Sequence, residues 1–436
     1  MSTFTLRFRG AASSLGADGR RALLDRGTVD DDVLRDTVAA TIEVVRREGD
    51  VALKALVREY DKANLKRLDV PRERWTAALD ALDPKVRTAM ERAARNIERA
   101  HRAFLPVATE VETEPGVVVG RRPDPLGSVG VYAPGGRAAY PSSVLMGAIP
   151  ARVAGVREVI ICSPPGTSGS PSDVVLAACA VAGVDKVFAL GGAGAIAAMA
   201  FGTASVPRVD RIVGPGNAWV TEAKLQVAKV CAIDSPAGPS ELLVIADSSA
   251  DPAQVARELL AQAEHDPRAC VVAVAIGDDV AERIEERLAV MVGGYDRDAI
   301  IRQALRANGA VVSVPSIEEA VAFSNAYAPE HLLIAVADAD VVLSRVRNAG
   351  TVFVGESSSV SFGDYMTGAN HTLLTNGLAR SYSGLSTSDF IRWTTYQRVT
   401  RDAAARLADD VGAFADAERL DGHAKAARAW ATRGGS

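Results

Sequence analysis

Glu330 and His331 stand side by side in the stretch AYAPEHLL of a 436-residue chain that contains only five histidines. A carboxylate and an imidazole ionise in different pH ranges, so adjacent Glu and His could divide the acid and base steps of one reaction. The same residues would also fit a solvated turn with one hydrogen-bonded histidine. Taken alone, the pair leaves both interpretations open.

Other histidines stand beside residues of metal-ligand type. In DPAQVARELLAQAEHDP, Asp251 and Pro252 form a helix start, and Gln262 and His265 follow at a spacing that predicts one helix face. An amphipathic helix ending in Gln and His would show the same pattern without a metal. The pattern therefore indicates a metal site only if further ligands join it.

Two later stretches could supply such ligands. SFGDYMTGANHTL places Asp364 and His371 in a predicted glycine-rich loop, and AERLDGHAKAARAW places Glu418 and His423 on either side of a turn. Neutral and anionic nitrogen and oxygen ligands suit zinc, manganese or cobalt, and composition does not choose among these metals. The candidate ligand set is Gln262, His265, Asp364 and His423.

Two glycine-rich turns suggest a nucleotide. VFALGGAGAIAAMA opens a predicted helix, and its Gly192-x-Gly194-x-x-Ala197 spacing loosely fits a dinucleotide fingerprint without a well-placed ribose-binding acid. RIVGPGNAWVTEAK leaves open backbone beside the helix start at Asn217, where a cofactor could lie. The second turn is the more informative of the two.

The elements that must hold these residues are predicted to be α/β layers. The first 110 residues have helical periodicity, whereas short apolar runs alternate with Ala-rich helical stretches from about residue 128. Such strands predict parallel sheets covered on both faces. The predicted strands are SVGVYA, EVIICS, KVFALGG, DRIVGPG, ELLVIAD, CVVAVAI, AVVSVP, HLLIAV and TVFVGE.

A helix and a strand are predicted to position the acid/base pair. SIEEA has the form of a capping box at Ser316, and Pro329 disfavours helical geometry at Ala328, so the helix ends there. Glu330 and His331 then lie in the turn that enters the strand HLLIAV. Sheet edges are where α/β proteins tend to build sites.

Composition and charge exclude several classes of protein. The net charge is -5, so nucleic acid is an unexpected partner. No apolar run reaches the length of a signal peptide or a membrane span, and we expect a cytoplasmic protein. The four cysteines are far apart in apolar stretches, which predicts buried reduced thiols: Cys162, Cys179, Cys231 and Cys270.

Seven stretches, in order and spacing, resemble the histidinol dehydrogenase family over roughly residues 25–430. They are GVYAPGGRAAYPSS, GPGNAWVTEAK, AGPSELLVIAD, LLAQAEHD, AYAPEHL, SFGDYMTGANHTL and AERLDGHA. The resemblance implies oxidation of L-histidinol to L-histidine, the last two steps of histidine biosynthesis, with two NAD+ and one zinc per site. It also implies a homodimer with two incomplete Rossmann-like domains.

The resemblance also implies a domain organisation. An N-terminal segment covers residues 1–25, and a first α/β domain with the metal and acid/base residues combines 26–131 with 241–384. A second α/β domain, residues 132–240, would bind NAD. A helical tail, residues 385–436, would reach across to the partner subunit.

Residue roles follow from the same resemblance. Gln262, His265, Asp364 and His423 resemble the zinc ligands, with His423 from the partner subunit, and Glu330 and His331 resemble the acid/base pair. Substrate contacts would come from these zinc ligands and from His331, Ser240, His371 and Glu418. NAD contacts would come from Tyr132, Asn217 and position 194, where the family usually has Gln and this chain has Gly194.

The chemistry fits these residue types. His331 would take the hydroxyl proton in the first oxidation, and Glu330 would activate water for the second. The zinc would position the substrate rather than hydrolyse it. The alternatives are a paralogous dehydrogenase of another amino or sulfonated alcohol, a zinc hydrolase, or a binding module without catalysis.

Overall fold

The computed structural model describes residues 4–24, 26, 31–135 and 139–431. The strands are β1 Phe8–Ala11, β2 Thr109–Glu114, β3 Val117–Pro125, β4 Ser128–Tyr132, β5 Glu158–Ser163, β6 Lys186–Ala189, β7 Arg211–Val213, β8 Ala232–Ile233, β9 Glu241–Ala246, β10 Cys270–Ile276, β11 Gly309–Val314, β12 His331–Ala335, β13 Thr351–Val354 and β14 Ile391–Val399.

The α-helices are α1 Ala17–Leu24, α2 Asp32–Glu48, α3 Asp50–Leu56, α4 Arg72–Asp80, α5 Pro84–Ala103, α6 Pro141–Ala154, α7 Asp173–Ala182, α8 Gly192–Phe201, α9 Ala218–Val227, α10 Pro252–Ala263, α11 Asp278–Met291, α12 Asp298–Asn308, α13 Ile317–Tyr327, α14 Ala339–Arg345, α15 Val360–Tyr365, α16 Arg401–Ala417 and α17 Asp421–Arg428. None of the helices in these described ranges is long and apolar enough to cross a membrane.

Two parallel sheets form the framework, as predicted. One has the strand order β1-β11-β10-β9-β12-β13, and the other has the order β6-β5-β4-β7-β8. Every run predicted to be a strand is a strand of one of these sheets. Both faces of the six-stranded sheet are covered at its centre, since strands β9 and β11 are buried along their whole length. The predicted α/β class with two parallel-sheet units is confirmed.

In each sheet the strand order reverses beside one strand. The chain passes from β4 through β5 to β6 and then returns to place β7 on the other side of β4. It likewise passes from β9 through β10 to β11 and then places β12 on the other side of β9. Such reversal points leave room for ligands in open α/β sheets.

The N-terminal helices pack differently from the prediction. Val38, Ile42 and Leu53 lie in one core cluster with strands β5 and β6, while Trp75 and Ile97 lie in another with β4 and β5. Helices α2–α5 therefore cover the five-stranded sheet, whereas the resemblance implies that residues 26–131 form one unit with residues 241–384. The N-terminal segment also contains a strand, because β1 pairs in parallel with β11. The domain boundaries themselves stay a prediction.

A third, antiparallel sheet has the strand order β14-β3-β2 and was not predicted. The predicted helical tail, residues 385–436, therefore contains a strand as well as helices. This strand, IRWTTYQRV, has the β-branched and aromatic residues that favour strands. Helices α16 and α17 follow it, and Phe414 on α16 is 72% exposed. Contact of the tail with a second subunit stays a prediction.

Candidate active site

Glu330 and His331 lie where the sequence predicts them. The Ser316 hydroxyl accepts a hydrogen bond from the Glu319 amide at 3.3 Å, and α13 ends at Tyr327. Ala328 then adopts the left-handed conformation, with φ 53°, immediately before Pro329. This sharp end of the helix brings His331 to the first position of β12.

The backbone of the neighbouring strand holds both side chains. The amide of Glu241, the first residue of β9, donates to Glu330 Oε2 at 2.7 Å. The carbonyl oxygen of Glu241 lies 2.9 Å from His331 Nδ1. Both catalytic candidates are buried, and both lie at the amino-terminal edge of the six-stranded sheet. Open α/β sheets usually bind ligands at the carboxyl edge, so the location of this pair at the amino-terminal edge departs from the general rule.

The hydrogen bond to Glu241 defines which nitrogen of His331 is available. A carbonyl oxygen only accepts, so Nδ1 carries a hydrogen and donates it. Nε2 is buried without a hydrogen-bond partner among the described residues, and it lies 3.7 Å from Asp364 Oδ1. Nε2 is therefore the nitrogen that can exchange a proton with a substrate.

The two carboxylates around His331 control its charge. Burial disfavours the imidazolium, but Glu330 and Asp364 offset this effect and raise the pKa of His331 to about 9. Glu330 Oε2 lies 3.4 Å from His331 Nδ1, on the opposite side of the ring from Asp364. The ring thus lies between two anionic groups.

In protein freed of metal by chelation, His331 is expected to titrate near pH 9, and Glu330→Gln is expected to lower its pKa because one anion is removed. The contribution of protonated His331 to the free energy of unfolding is then complete below the ordinary histidine pKa of about 6.5. This contribution is lost as the pH rises through about 9. NMR titration of histidine-labelled protein measures the shift.

His101 is the internal reference for this titration, because burial lowers its pKa to about 4. Its titration should not respond to Glu330→Gln. An unchanged pKa of His331 in that variant would contradict the electrostatic account.

The predicted metal ligands Gln262 and His265 lie at the end of α10. Asp251 caps this helix and Pro252 begins it, as predicted. The helix ends at Ala263, however, so the prediction that His265 shares a helix face with Gln262 is wrong. His265 lies one residue beyond Glu264, where a turn begins, and its amide still bonds to the Gln262 carbonyl at 3.4 Å.

Asp364 and His371 are close to the acid/base pair. Asp364 lies in the short helix α15, which corrects the prediction of a loop, and its carbonyl oxygen is 3.0 Å from His371 Nδ1. Burial lowers the pKa of His371, and Asp364 opposes this effect. Ser240 is half-buried next to Glu241, and its carbonyl oxygen accepts from the Cys270 amide at 2.9 Å.

A hydrogen bond joins α10 and α15, the helices that carry the metal candidates Gln262 and Asp364. Glu258 of α10 accepts a hydrogen bond from the amide of Val360, the first residue of α15, at 3.1 Å. Gln262 and Asp364 each lie four residues farther along their helix, and Gln262 is buried. An amide oxygen, an imidazole and a carboxylate are donor types that zinc accepts, so these residues fit a zinc ion.

The fourth predicted ligand lies elsewhere in the chain. Glu418 and His423 are exposed at the junction of α16 and α17, on either side of a turn at Arg419, where φ is 61°. Within the described part of the chain, no group of three or more His, Cys, Asp or Glu side chains is arranged to hold a metal. The contribution of His423 from a partner subunit stays a prediction.

The predicted NAD contacts cluster at the carboxyl edge of the other sheet. Tyr132 ends β4, and its hydroxyl accepts from the Gly192 amide at 3.2 Å, at the start of α8. Asn217 caps α9 by accepting from the Val220 amide at 3.2 Å, and it remains exposed. This edge includes the reversal point between β4 and β7. The geometry suits a nucleotide.

A buried ion pair holds the turn before Asn217. Lys224 pairs with Asp234, and its ammonium group donates to the Gly214 carbonyl at 3.0 Å. Asp234 also accepts from the Gly214 amide at 2.7 Å. Gly214 has φ 114° and approaches the Tyr132 backbone so closely that a Cβ would lie 2.2 Å from its carbonyl oxygen. Only glycine fits there.

Gly194 is covered by a neighbouring helix. It is buried in α8, and a Cβ at this position would lie 2.9 Å from Leu56 Cδ1 of α3. Leu56 therefore occupies the space that a side chain at position 194 would enter. A cofactor contact at Gly194 stays a prediction.

The cysteines are free thiols, as predicted, with only Cys270 less than fully buried. Burial raises the pKa of Cys231 to about 11 and that of Cys270 to about 12. Burial also raises the pKa of Cys162 and Cys179. Thiolate nucleophiles at neutral pH are therefore disfavoured at all four positions.

The α/β fold, the buried Glu-His pair and the glycine-rich turns at the second sheet suit a dehydrogenase, and the family match shows that class. The family model of histidinol dehydrogenase matches residues 24–430. The chain belongs to the histidinol dehydrogenase family, which confirms the resemblance in the sequence, and membership of this dehydrogenase family implies the use of NAD.

Relatives and a solved structure agree with this assignment. The chain is 48% identical to histidinol dehydrogenase of Methanosarcina barkeri, over 93% of this chain and 94% of that protein. It is 46% identical to that of Xylella fastidiosa, over 90% and 91%. The crystal structure of histidinol dehydrogenase from Elizabethkingia anophelis superposes with a TM-score of 0.94 at 35% identity, covering 99% of both chains.

Proposed function

We propose that this protein oxidises L-histidinol to L-histidine through L-histidinaldehyde, with two NAD+ and one zinc per site. The proposal is supported by the membership of the family over residues 24–430. The observation that carries the chemistry is the fixed orientation of His331, whose Nδ1 bonds to the Glu241 carbonyl while Nε2 is left for substrate.

In the first oxidation, the substrate hydroxyl must lose a proton as its carbon loses a hydride. The neutral form of His331 accepts this proton at Nε2, the nitrogen that has no hydrogen-bond partner among the described residues, so the step requires prior loss of the proton that the neighbouring carboxylates stabilise on the ring. The hydrogen bond from Nδ1 to Glu241 holds the ring in the required orientation. Bound NAD+ would supply the hydride acceptor, and bound zinc would hold the substrate in place.

In the second oxidation, the aldehyde must gain an oxygen before it can lose another hydride. Water is the proposed nucleophile, because burial raises the pKa of the thiols that could otherwise attack. Glu330 is the proposed base for this water. One of its oxygens accepts from the Glu241 amide, which leaves Oε1 for the water.

The proposed zinc ligands are Gln262, His265 and Asp364, together with His423 of a second copy of the chain. The adjacency of α10 and α15 supports the first and third of these assignments. The exposure of His423 on the tail is consistent with a ligand that completes the site of another subunit. The same arrangement supports a homodimer, with Ser240, His371 and Glu418 as the further substrate contacts.

Limiting L-histidinol with excess NAD+ is expected to yield two NADH per histidinol, measured by absorbance. Chelation is expected to lower the rate at least about tenfold, because no metal would then hold the substrate in place. Added zinc should restore the rate. One NADH per histidinol would contradict the double oxidation. No NADH from zinc-loaded protein would favour a paralogous dehydrogenase of another amino or sulfonated alcohol.

A further inference from the structure

A buried ion pair lies directly behind the acid/base pair. Arg26 Nε and Nη2 donate to the two carboxylate oxygens of Glu241, each at 2.8 Å. The side chain of Arg26 is 6% exposed and that of Glu241 is 1% exposed. The fork of the guanidinium matches the carboxylate, which adds geometric specificity to the attraction of the charges.

Further contacts fix both partners. Arg26 Nη2 also donates to the Tyr327 carbonyl at 3.0 Å, and the guanidinium lies 3.4 Å from the centre of the Tyr327 ring. The Asn376 amide donates to Glu241 Oε1 at 2.8 Å. Tyr327 is the last residue of α13, so Arg26 also contacts the helix that leads to Glu330.

The backbone of Glu241 connects this ion pair to the catalytic candidates. Its amide donates to Glu330 Oε2 at 2.7 Å, and its carbonyl accepts from His331 Nδ1 at 2.9 Å. One residue therefore orients both members of the acid/base pair through its peptide groups. Its own side chain is held by Arg26, which lies 215 residues away in the sequence.

We infer that Arg26 and Glu241 are positioning residues that fix the orientation of Glu330 and His331 for proton transfer. This inference rests on the proposed function. Isolated buried ion pairs contribute little net stability, because removing two charges from water is costly. The bidentate geometry and the direct link to both catalytic candidates point instead to a role in positioning.

Arg26→Gln would leave the buried Glu241 carboxylate without its cation and allow the start of β9 to shift. Because small misplacements of catalytic groups cost on the order of a hundredfold in rate, we expect kcat to fall by about that factor. KM for L-histidinol and NAD+ should stay within about threefold, since Arg26 is proposed to act through other residues. Arg26→Lys keeps the charge without the fork and should recover part of the loss.

The test compares Arg26→Gln and Arg26→Lys with the control Arg302→Gln, which removes a second arginine–carboxylate pair on α12, Arg302 with Asp298. kcat, KM and Tm are measured on zinc-loaded protein. The control should keep kcat within about twofold even if its Tm falls. Equal kcat values for Arg26→Gln and wild type, or an equal loss in the control, would overturn the inference.

A second readout does not depend on activity. In metal-free protein, the hydrogen-bonded Nδ1 proton of His331 should give an NMR signal, assigned by its loss in His331→Asn. Arg26→Gln should shift or broaden it, whereas Arg302→Gln should not, and an unchanged signal would contradict the inference. Wild-type protein that makes no NADH while this signal responds would contradict the proposed function but not the positioning role.

If Arg26→Gln does not fold, Glu241→Gln replaces it in both measurements. This variant keeps the backbone contacts and nearly the same size while it removes the charge that holds Arg26. It is expected to show the same loss of kcat and the same change in the His331 signal. Wild-type values for both would overturn the inference.

Discussion

His331→Asn is expected to lower the rate of the first oxidation by about a thousandfold, the range lost when a general base is removed. Asparagine is the informative replacement, because its amide can still donate to the Glu241 carbonyl, as His331 Nδ1 does. It has no group at the position of Nε2, the proposed proton acceptor. The local backbone contacts should therefore survive while the base is lost.

The measurement is the single-turnover rate of NADH formation from L-histidinol at saturating NAD+. His101→Asn makes the same chemical change at another buried histidine, which packs against Phe104 rather than against the site. Folded His101→Asn protein should keep a rate within about twofold of wild type. A first oxidation that is equally fast in His331→Asn and wild type would remove His331 from the proposed mechanism.

Glu330→Gln is expected to slow the second oxidation by about a hundredfold or more and to affect the first oxidation much less. Glutamine cannot take a proton from water, although its carbonyl oxygen can still accept from the Glu241 amide. The His331 ring and its bond to Glu241 should remain in place. The yield is then expected to fall from two NADH per histidinol toward one during a fixed time.

Separate assays with L-histidinol and with L-histidinaldehyde distinguish the two steps. Glu285→Gln, on α11, changes a partly buried carboxylate away from the site and should alter neither rate by more than about twofold. Equal slowing of both oxidations in Glu330→Gln would show that Glu330 acts mainly on His331. That outcome would reject water activation by Glu330.

The position of the acid/base pair was accessible from the sequence because it depends on local chemistry. The capping serine, Ser316, and the restriction that Pro329 imposes on Ala328 define both ends of α13, and a continuous apolar run defines β12. The same reasoning predicted the start of α10 at Asp251 and Pro252. These signals act over a few residues and do not require knowledge of the fold.

The ends of elements without a strong local signal were harder to predict. The nearest helix breaker after α10 is Pro267, which disfavours helical geometry only at Asp266, so the pattern did not show that the helix stops at Ala263, before His265. Helix α15 is only six residues long, in a glycine-rich stretch that favours a loop. Both differences concern predicted zinc ligands, whose orientation depends on where these helices end.

The sequence by itself determined the α/β class, the parallel strands, the family and the adjacent Glu330–His331 pair, because all of these follow from local patterns or from ordered motifs. Only the tertiary structure decided that α2–α5 cover the five-stranded sheet, since burial of apolar surface is non-directional and does not specify a partner. It also placed Arg26 against Glu241, which is 215 residues away in the sequence. The pairing of β9 with β12 then placed Glu241 beside the acid/base pair. Such contacts depend on chain topology, which no local spacing encodes.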